Sequence, residues 1–118
     1  MHRDESIQID QAQLAAAWQQ TLPCLLDAGD KATVLPDEGV PNGLRIHIDT
    51  AGRQLYSFDF QCKYVDSREV RLDLVDVERD GRTVDERTPI IQELTQNYAR
   101  HIHECAQALH DLTHHGSQ

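Results

Sequence analysis

Between residues 88 and 116 the apolar side chains recur at steps of three and four: Ile91, Leu94, Tyr98, Ile102, Cys105, Leu109 and Leu112. That spacing lines up on one side of a 3.6-residue turn, so residues 88–116 are predicted to form one continuous helix. Thr88 is placed to cap its start through the hydroxyl, Pro89 suits the first helical position, and Gly116 suits a left-handed end. Over that span the rod is expected to be about 40 Å long. A second stripe lies near the other terminus, where Leu14, Trp18, Leu22 and Leu25 follow at spacings of four, four and three, padded by Ala15, Ala16 and Ala17. Asp10 with Gln13 resembles a capping box opening this helix. Pro23 is expected to bend it or start a second short turn, and Ala28-Gly29-Asp30 to end it.

The middle of the chain alternates with a period of two. Residues 31–35 read as a brief strand, and a loop with Gly39, Pro41 and Asn42-Gly43 follows. In 43–49 Leu44, Ile46 and Ile48 oppose Arg45, His47 and Asp49. In 53–65 Tyr56, Phe58, Phe60, Cys62 and Tyr64 oppose Ser57, Asp59, Gln61 and Lys63. In 68–74 Val70, Leu72 and Leu74 oppose Glu69, Arg71 and Asp73. One face is apolar and one polar, as in an antiparallel sheet with one side in water. For the first hairpin the favoured register sets Asp49 opposite Arg53 around Thr50-Ala51-Gly52, with Ile46 facing Tyr56 and Leu44 facing Phe58. For the second, turning near Asp66-Ser67, charge favours Lys63 opposite Asp73 over Lys63 opposite Arg71. At Leu74-Val75 the phase flips, which signals a β-bulge or sharp bend. A last small hairpin then turns at Asp80-Gly81 with Val77 opposite Val84. The expected fold is two-layer α+β, an antiparallel meander of four to five strands covered on one face by an N-terminal helix and a long C-terminal helix.

The chain's 118 residues suit one domain spanning 1–118, with 1–6 and 117–118 expected to be disordered. The core should be aliphatic, since aromatics make up 5% of the chain. No apolar run is long enough to cross a membrane. The polar start, Met1-His2-Arg3-Asp4-Glu5, lacks the apolar segment of a secretory signal, so the expected location is the cytoplasm unless a leader has been removed. Cys24, Cys62 and Cys105 are sparse and odd in number, which reads as reduced thiols. A net charge of −9 opposes binding to nucleic acid or to anionic lipid.

Of seven histidines, five follow residue 100: His101, His103, His110, His114 and His115. On one continuous helix His103, Gln107, His110 and His114 share a strip opposite the apolar stripe. His103, His110 and His114 are therefore candidate ligands for Zn²⁺, while a solvated helix face is the plainer expectation. In His103-Glu104-Cys105-Ala106-Gln107, glutamine replaces the second histidine of the H-E-x-x-H metalloprotease motif, which excludes that reading. Cys105 is expected to be a buried, inert thiol beside a satisfied core histidine, His101. On the polar sheet face His47, Asp59 and Arg71 are candidates for a small acid–base site, although no phosphate loop, nucleophile elbow or oxyanion pattern accompanies them.

Apolar surface left over at the ends of a long helix argues for self-association, with Trp18 and Tyr98 as expected interface residues. The function expected from the sequence is a non-enzymatic protein-interaction module acting as a homodimer, without a cofactor and with another protein as partner. Metal or small-ligand binding through the histidine strip, and a small enzyme on the polar sheet face, are the alternatives.

Overall fold

The computed structural model describes residues 9–52, 55–66 and 69–113. Helix α1 (Gln11–Leu25) precedes a sheet of five antiparallel strands, β1 (Lys31–Pro36), β2 (Gly43–Asp49), β3 (Tyr56–Tyr64), β4 (Val70–Arg79) and β5 (Arg82–Thr83). Helix α2 (Pro89–Ala108) and the short α3 (His110–Thr113) complete the chain. The strands follow sequence order across the sheet, so the topology is a meander. Both helices lie on one face, α1 against β1 and α2, and α2 against β4 as well. The fold is thus the α+β arrangement expected from the periodicities.

Alternation explains the layers. Leu44, Ile46, Ile48, Phe58, Phe60, Cys62, Tyr64 and Val70 point inward and are buried, meeting Leu14, Trp18 and Leu22 of α1 and Ile91, Tyr98, Ile102 and Cys105 of α2. Phe58 sits under Tyr98 with ring centroids 5.1 Å apart at 67°. Trp18 meets Tyr64 edge-on, and its indole N–H donates to the Tyr64 hydroxyl at 3.2 Å. The phase flip is a bulge: Asp59 pairs with Asp76 and Phe60 with Leu74, so Val75 has no partner across the ladder and stands exposed. Beyond it Val77 is buried, and Asp80 (φ 52°) and Gly81 (φ 81°) make the expected turn, closed by the Val84 N–H on the Val77 carbonyl at 3.0 Å.

Both long hairpins differ in register from the sequence expectation, though not in parity. Ile46 faces Phe60 rather than Tyr56, and Leu44 faces Cys62 rather than Phe58. The expected register would leave Cys62 with no β2 residue opposite it. A longer loop, closed by the Thr50 N–H on the Tyr56 carbonyl at 2.9 Å, keeps it paired, with Gly52 at φ 87° as expected and Leu55 also at positive φ, 57°. In the second hairpin Lys63 faces Arg71, and Asp73 faces Gln61. The shorter turn, with the Val65 N–H on the Glu69 carbonyl and the Glu69 N–H on Asp66, sets Tyr64 opposite Val70 and buries the valine. Burying Val70 outweighs a repulsion of a few tenths of a kcal/mol between two charges in water.

The helix termini depart further. The expected single rod stops at Ala108, because Leu109 (φ −101°, ψ 15°) turns its N–H back to the carbonyls of Cys105 and Gln107. Cys105 is the last fully buried residue of the stripe. Leu109 is half-buried and Leu112 exposed, so packing no longer enforces the helical line there. Thr88 precedes the helix but does not cap it, since its hydroxyl donates to the Asp85 carbonyl instead. Pro23 starts no second turn: α1 runs through it to Leu25. Asp10 caps α1 by accepting the Gln13 N–H at 3.3 Å. The expected disorder of 1–6 and 117–118, and the cap at Gly116, fall outside the described residues.

Two glutamines of α1 hold it to the sheet. The Gln19 side-chain amide donates to the Ala32 carbonyl and accepts from the Val34 N–H, both at 2.8 Å. It thereby takes the place of a neighbouring strand along the outer edge of β1. Gln11 donates to the carbonyls of Asp37, Val40 and Gly43 in the loop before β2.

Candidate functional site

The outward face of the sheet gathers most of the chain's chemistry. His47 on β2 stands opposite Asp59 on β3, and its Nδ1 donates to Asp59 Oδ1 at 2.8 Å. Its Nε2 lies 3.0 Å from Asp49 Oδ1, which also accepts the Ser57 hydroxyl at 2.7 Å. A neutral imidazole carries one N–H, so facing carboxylates on both sides favours the imidazolium. Burial of the ring pulls its pKa down. The hydrogen bonds and charges of Asp59 and Asp49 outweigh this and raise it above the ordinary 6.5. The Ser57 hydrogen bond, assisted by the charges of His47 and Lys31, holds Asp49 below its usual range.

This cluster orients charge but offers little for catalysis. Both ring nitrogens are engaged by carboxylates, and the serine hydroxyl is turned to Asp49, so no His-activated nucleophile forms. Arg71, expected to join His47 and Asp59, does not: it faces Lys63, is 73% exposed, and makes a 3.7 Å ion pair with Asp73.

A raised histidine pKa stabilises the fold in a definite pH window. The unfolded chain takes up the His47 proton only below about 6.5. The stabilisation is therefore full below that pH and fades as pH rises through the higher folded value. Partial exposure keeps it under about 1 kcal/mol. Urea melts of the wild type and His47→Gln should accordingly differ most near pH 6 and converge toward pH 9, and a gap that widens with pH would contradict the charged clamp.

Beside the cluster a shallow depression of about 230 Å³ crosses the strands, lined by Leu35, Arg45, His47, Asp59 and Val75 among others. Leu35 (57% exposed) and Val75 (52% exposed) are two large apolar side chains turned to water on this face. In the same row Asp59 pairs across the ladder with Asp76; His47 takes the Asp59 carboxylate, and the Asp76 carboxylate accepts the Val77 N–H at 2.9 Å.

The remaining candidates separate. His103 is exposed on α2, whereas His110 begins α3 beyond the break at Leu109, so the expected continuous strip is interrupted. His114 lies outside the described residues, among which no three His, Cys, Asp or Glu side chains are grouped to hold a metal ion. Cys62 and Cys105 are buried, and burial pushes both thiols up to about 12, far from a nucleophile's range. His101 is less satisfied than expected: Nδ1 donates to Glu104 at 2.9 Å, while the buried Nε2 has no partner among the described residues. Trp18 (0% exposed) and Tyr98 (1% exposed), expected at an interface, lie inside the core instead. The two helices cover each other and most of the sheet's inner face, which accounts for the burial of these two side chains. Sequence reasoning missed the clamp from Asp49, whose outward position is legible but whose bond to His47 needs the strand twist. It also missed the exposure of Leu35 and Val75; the break of phase at Val75 was the one signal for that.

No helix among the described residues is long and apolar enough to cross a membrane. Comparison with protein-family models, with curated proteins and with solved structures gives no match.

Proposed function

We propose that the protein works by binding another protein, as a homodimer, and not by catalysis. The observation that carries this reading is the depression on the outer sheet face, where Leu35 and Val75 flank Asp59 and His47. Apolar side chains held in water around a polar centre are what an interface core with a charged anchor needs. A partner placing a Lys or Arg near the Asp59 carboxylate, with apolar groups over Leu35 and Val75, would meet that charge and remove apolar area from water. The engaged state of His47 supports binding over chemistry. Cys24, Cys62 and Cys105 are all free thiols, which supports a reducing compartment such as the cytoplasm.

The test compares the wild type with Leu35→Ser/Val75→Ser as baits in extract of the source cells. Both substitutions are on exposed side chains, so the variant should melt like the wild type. A stoichiometric partner held by the wild type and lost by the variant is expected. A partner held equally by both overturns the use of this face.

A further inference from the structure

The sheet has two edges, and helix α1 occupies part of one of them. On β1 the outward-pointing Ala32 carbonyl and Val34 N–H are both bound by Gln19. The other edge is β4, where β5 pairs only with Glu78 and Arg79 and is extended by the Val84 N–H on Val77. The Val65 N–H donates to the Glu69 carbonyl, so Glu69 bonds inward, toward β3. In an antiparallel ladder this alternates. Arg71 and Asp73 therefore also bond toward β3, and the N–H and C=O of Val70, Leu72 and Leu74 point away from it. Among the described residues none hydrogen-bonds those groups from the open side. The bulge at Val75 ends the stretch, beyond which the edge belongs to β5. An unpaired edge of this kind is a template for another strand.

We infer that this edge is where a second copy of the chain joins, β4 against β4 in antiparallel fashion, with a twofold axis at Leu72. The inference rests on the homodimer of the proposed function and assigns its interface. Twofold symmetry makes the strand pair with itself. With Val70, Leu72 and Leu74 as the bonding residues, three registers set at least two of them in facing pairs with those of the second copy, and the choice lies among these three. An axis at Arg71 sets Arg71 against Arg71 of the second copy and Asp73 against its Glu69. An axis at Asp73 sets Asp73 against Asp73. The axis at Leu72 alone matches opposite charges: Arg71 faces Asp73 of the second copy, and Asp73 faces its Arg71.

The same register puts Leu72 on Leu72 and Val70 on Leu74 on the helix-covered side, where Leu72 and Leu74 are only half-buried within one copy. Beside Leu74 lies a depression of about 370 Å³, bordered by Glu86, Arg87, Gln92, Thr95 and Gln96, so the inner side of this edge is open next to Leu74. Three facing pairs contribute about six backbone hydrogen bonds, and two five-stranded sheets become one continuous sheet. The outer depression with Leu35 and Val75 stays open in both copies.

Charge exchange at exposed positions tests the register without threatening the fold, since Arg71 and Asp73 side chains are 73% and 56% exposed. Sedimentation equilibrium should find the wild type dimeric at tens of micromolar. Arg71→Asp alone and Asp73→Arg alone should each weaken the dimer about tenfold or more, equivalent to 1.4 kcal/mol. Arg71→Asp/Asp73→Arg together should restore it to within about threefold of the wild type. Amide exchange at Val70, Leu72 and Leu74 should slow as the wild type dimerises. A dimer indifferent to the single exchanges, or not restored by the double, overturns the β4 interface and leaves the homodimer standing. A wild type that stays monomeric at hundreds of micromolar overturns both.

Discussion

Trp18→Ala should lower the unfolding free energy by about 3–5 kcal/mol, the range for removing a large aromatic from a packed core. That is a large share of the roughly 5–15 kcal/mol available to a domain of this kind. The indole is wholly buried at the centre of the α1 stripe between Leu14 and Leu22, and it meets Tyr64 edge-on at 6.4 Å. Truncation removes the contact between α1 and β3 and opens a cavity where two elements meet, with little chance of local collapse. Trp18→Phe keeps most of the ring volume and loses the N–H donated to Tyr64, so its loss should be about 1–2 kcal/mol. Urea denaturation followed by far-ultraviolet circular dichroism measures both. The dependence on protein concentration separates a core residue from an interface residue: the loss should persist undiminished when the protein is diluted to monomer. A Trp18→Ala loss below about 1 kcal/mol in the monomer would return the residue to an interface role.

Why Trp18 was misplaced shows what the sequence carries and what it leaves open. Periodicity says that a side chain belongs to an apolar face. It does not say whether that face is covered by the same chain or by another. Trp18, Tyr98 and the stripe residues as far as Leu109 signalled full or partial burial correctly, and the strands, the bulge at Val75 and the turn at Asp80-Gly81 were legible because each alters a simple period. Register was less legible. Alternation fixes parity alone, so slips of two or four residues keep Ile46 and Phe58 inward equally well. The length of the Thr50–Leu55 loop, set by backbone bonds and by Leu55 at positive φ, decides among them.

The outer cluster follows the same logic. Alternation put His47 and Asp59 on one face, but in the register first expected they would not have faced each other. The observed pairing brings them to 2.8 Å and leaves Arg71 in the row of Lys63. The helix break at Leu109 was invisible because the apolar spacing continues unbroken through Leu112. What stops the helix is the lack of anything for Leu112 to pack on, a property of the assembled fold. Bonds from side chains to backbone leave no periodic trace either, which is why Gln11, Gln19 and Asp30 gave no signal.

Asp30 is the most consequential of these. Lying just before β1, it accepts the Ala51 N–H through Oδ1 at 2.6 Å and the Tyr98 hydroxyl through Oδ2 at 3.1 Å. With its proton given to Asp30, the Tyr98 hydroxyl accepts from Thr50 at 3.0 Å. One carboxylate thus ties the start of the sheet to the β2–β3 loop and to the middle of α2. Gly29 makes the approach possible, since at φ 91° a Cβ there would stand 2.9 Å from the Ala51 Cβ. Burial, together with the Asp30 charge and against the Thr50 hydrogen bond, raises the Tyr98 hydroxyl to about 12, so it remains a donor at any ordinary pH. Asp30→Ala removes two hydrogen bonds to a charged acceptor, each worth about 1.5–3 kcal/mol in favourable cases; half-burial brings the expected loss to about 3 kcal/mol. Asp30→Asn keeps a carbonyl for Ala51 and should lose about 1 kcal/mol, and Tyr98→Phe about as much. Because the two residues share one bond, the double variant Asp30→Asn/Tyr98→Phe should lose less than the sum of the single losses. Asp27→Ala is the control, since that exposed carboxylate accepts a single long hydrogen bond among the described residues, from Asn97 at 3.4 Å. Equal losses for Asp30→Ala and Asp27→Ala, both under about 0.5 kcal/mol, would mean that the clamp does not hold helix and sheet together.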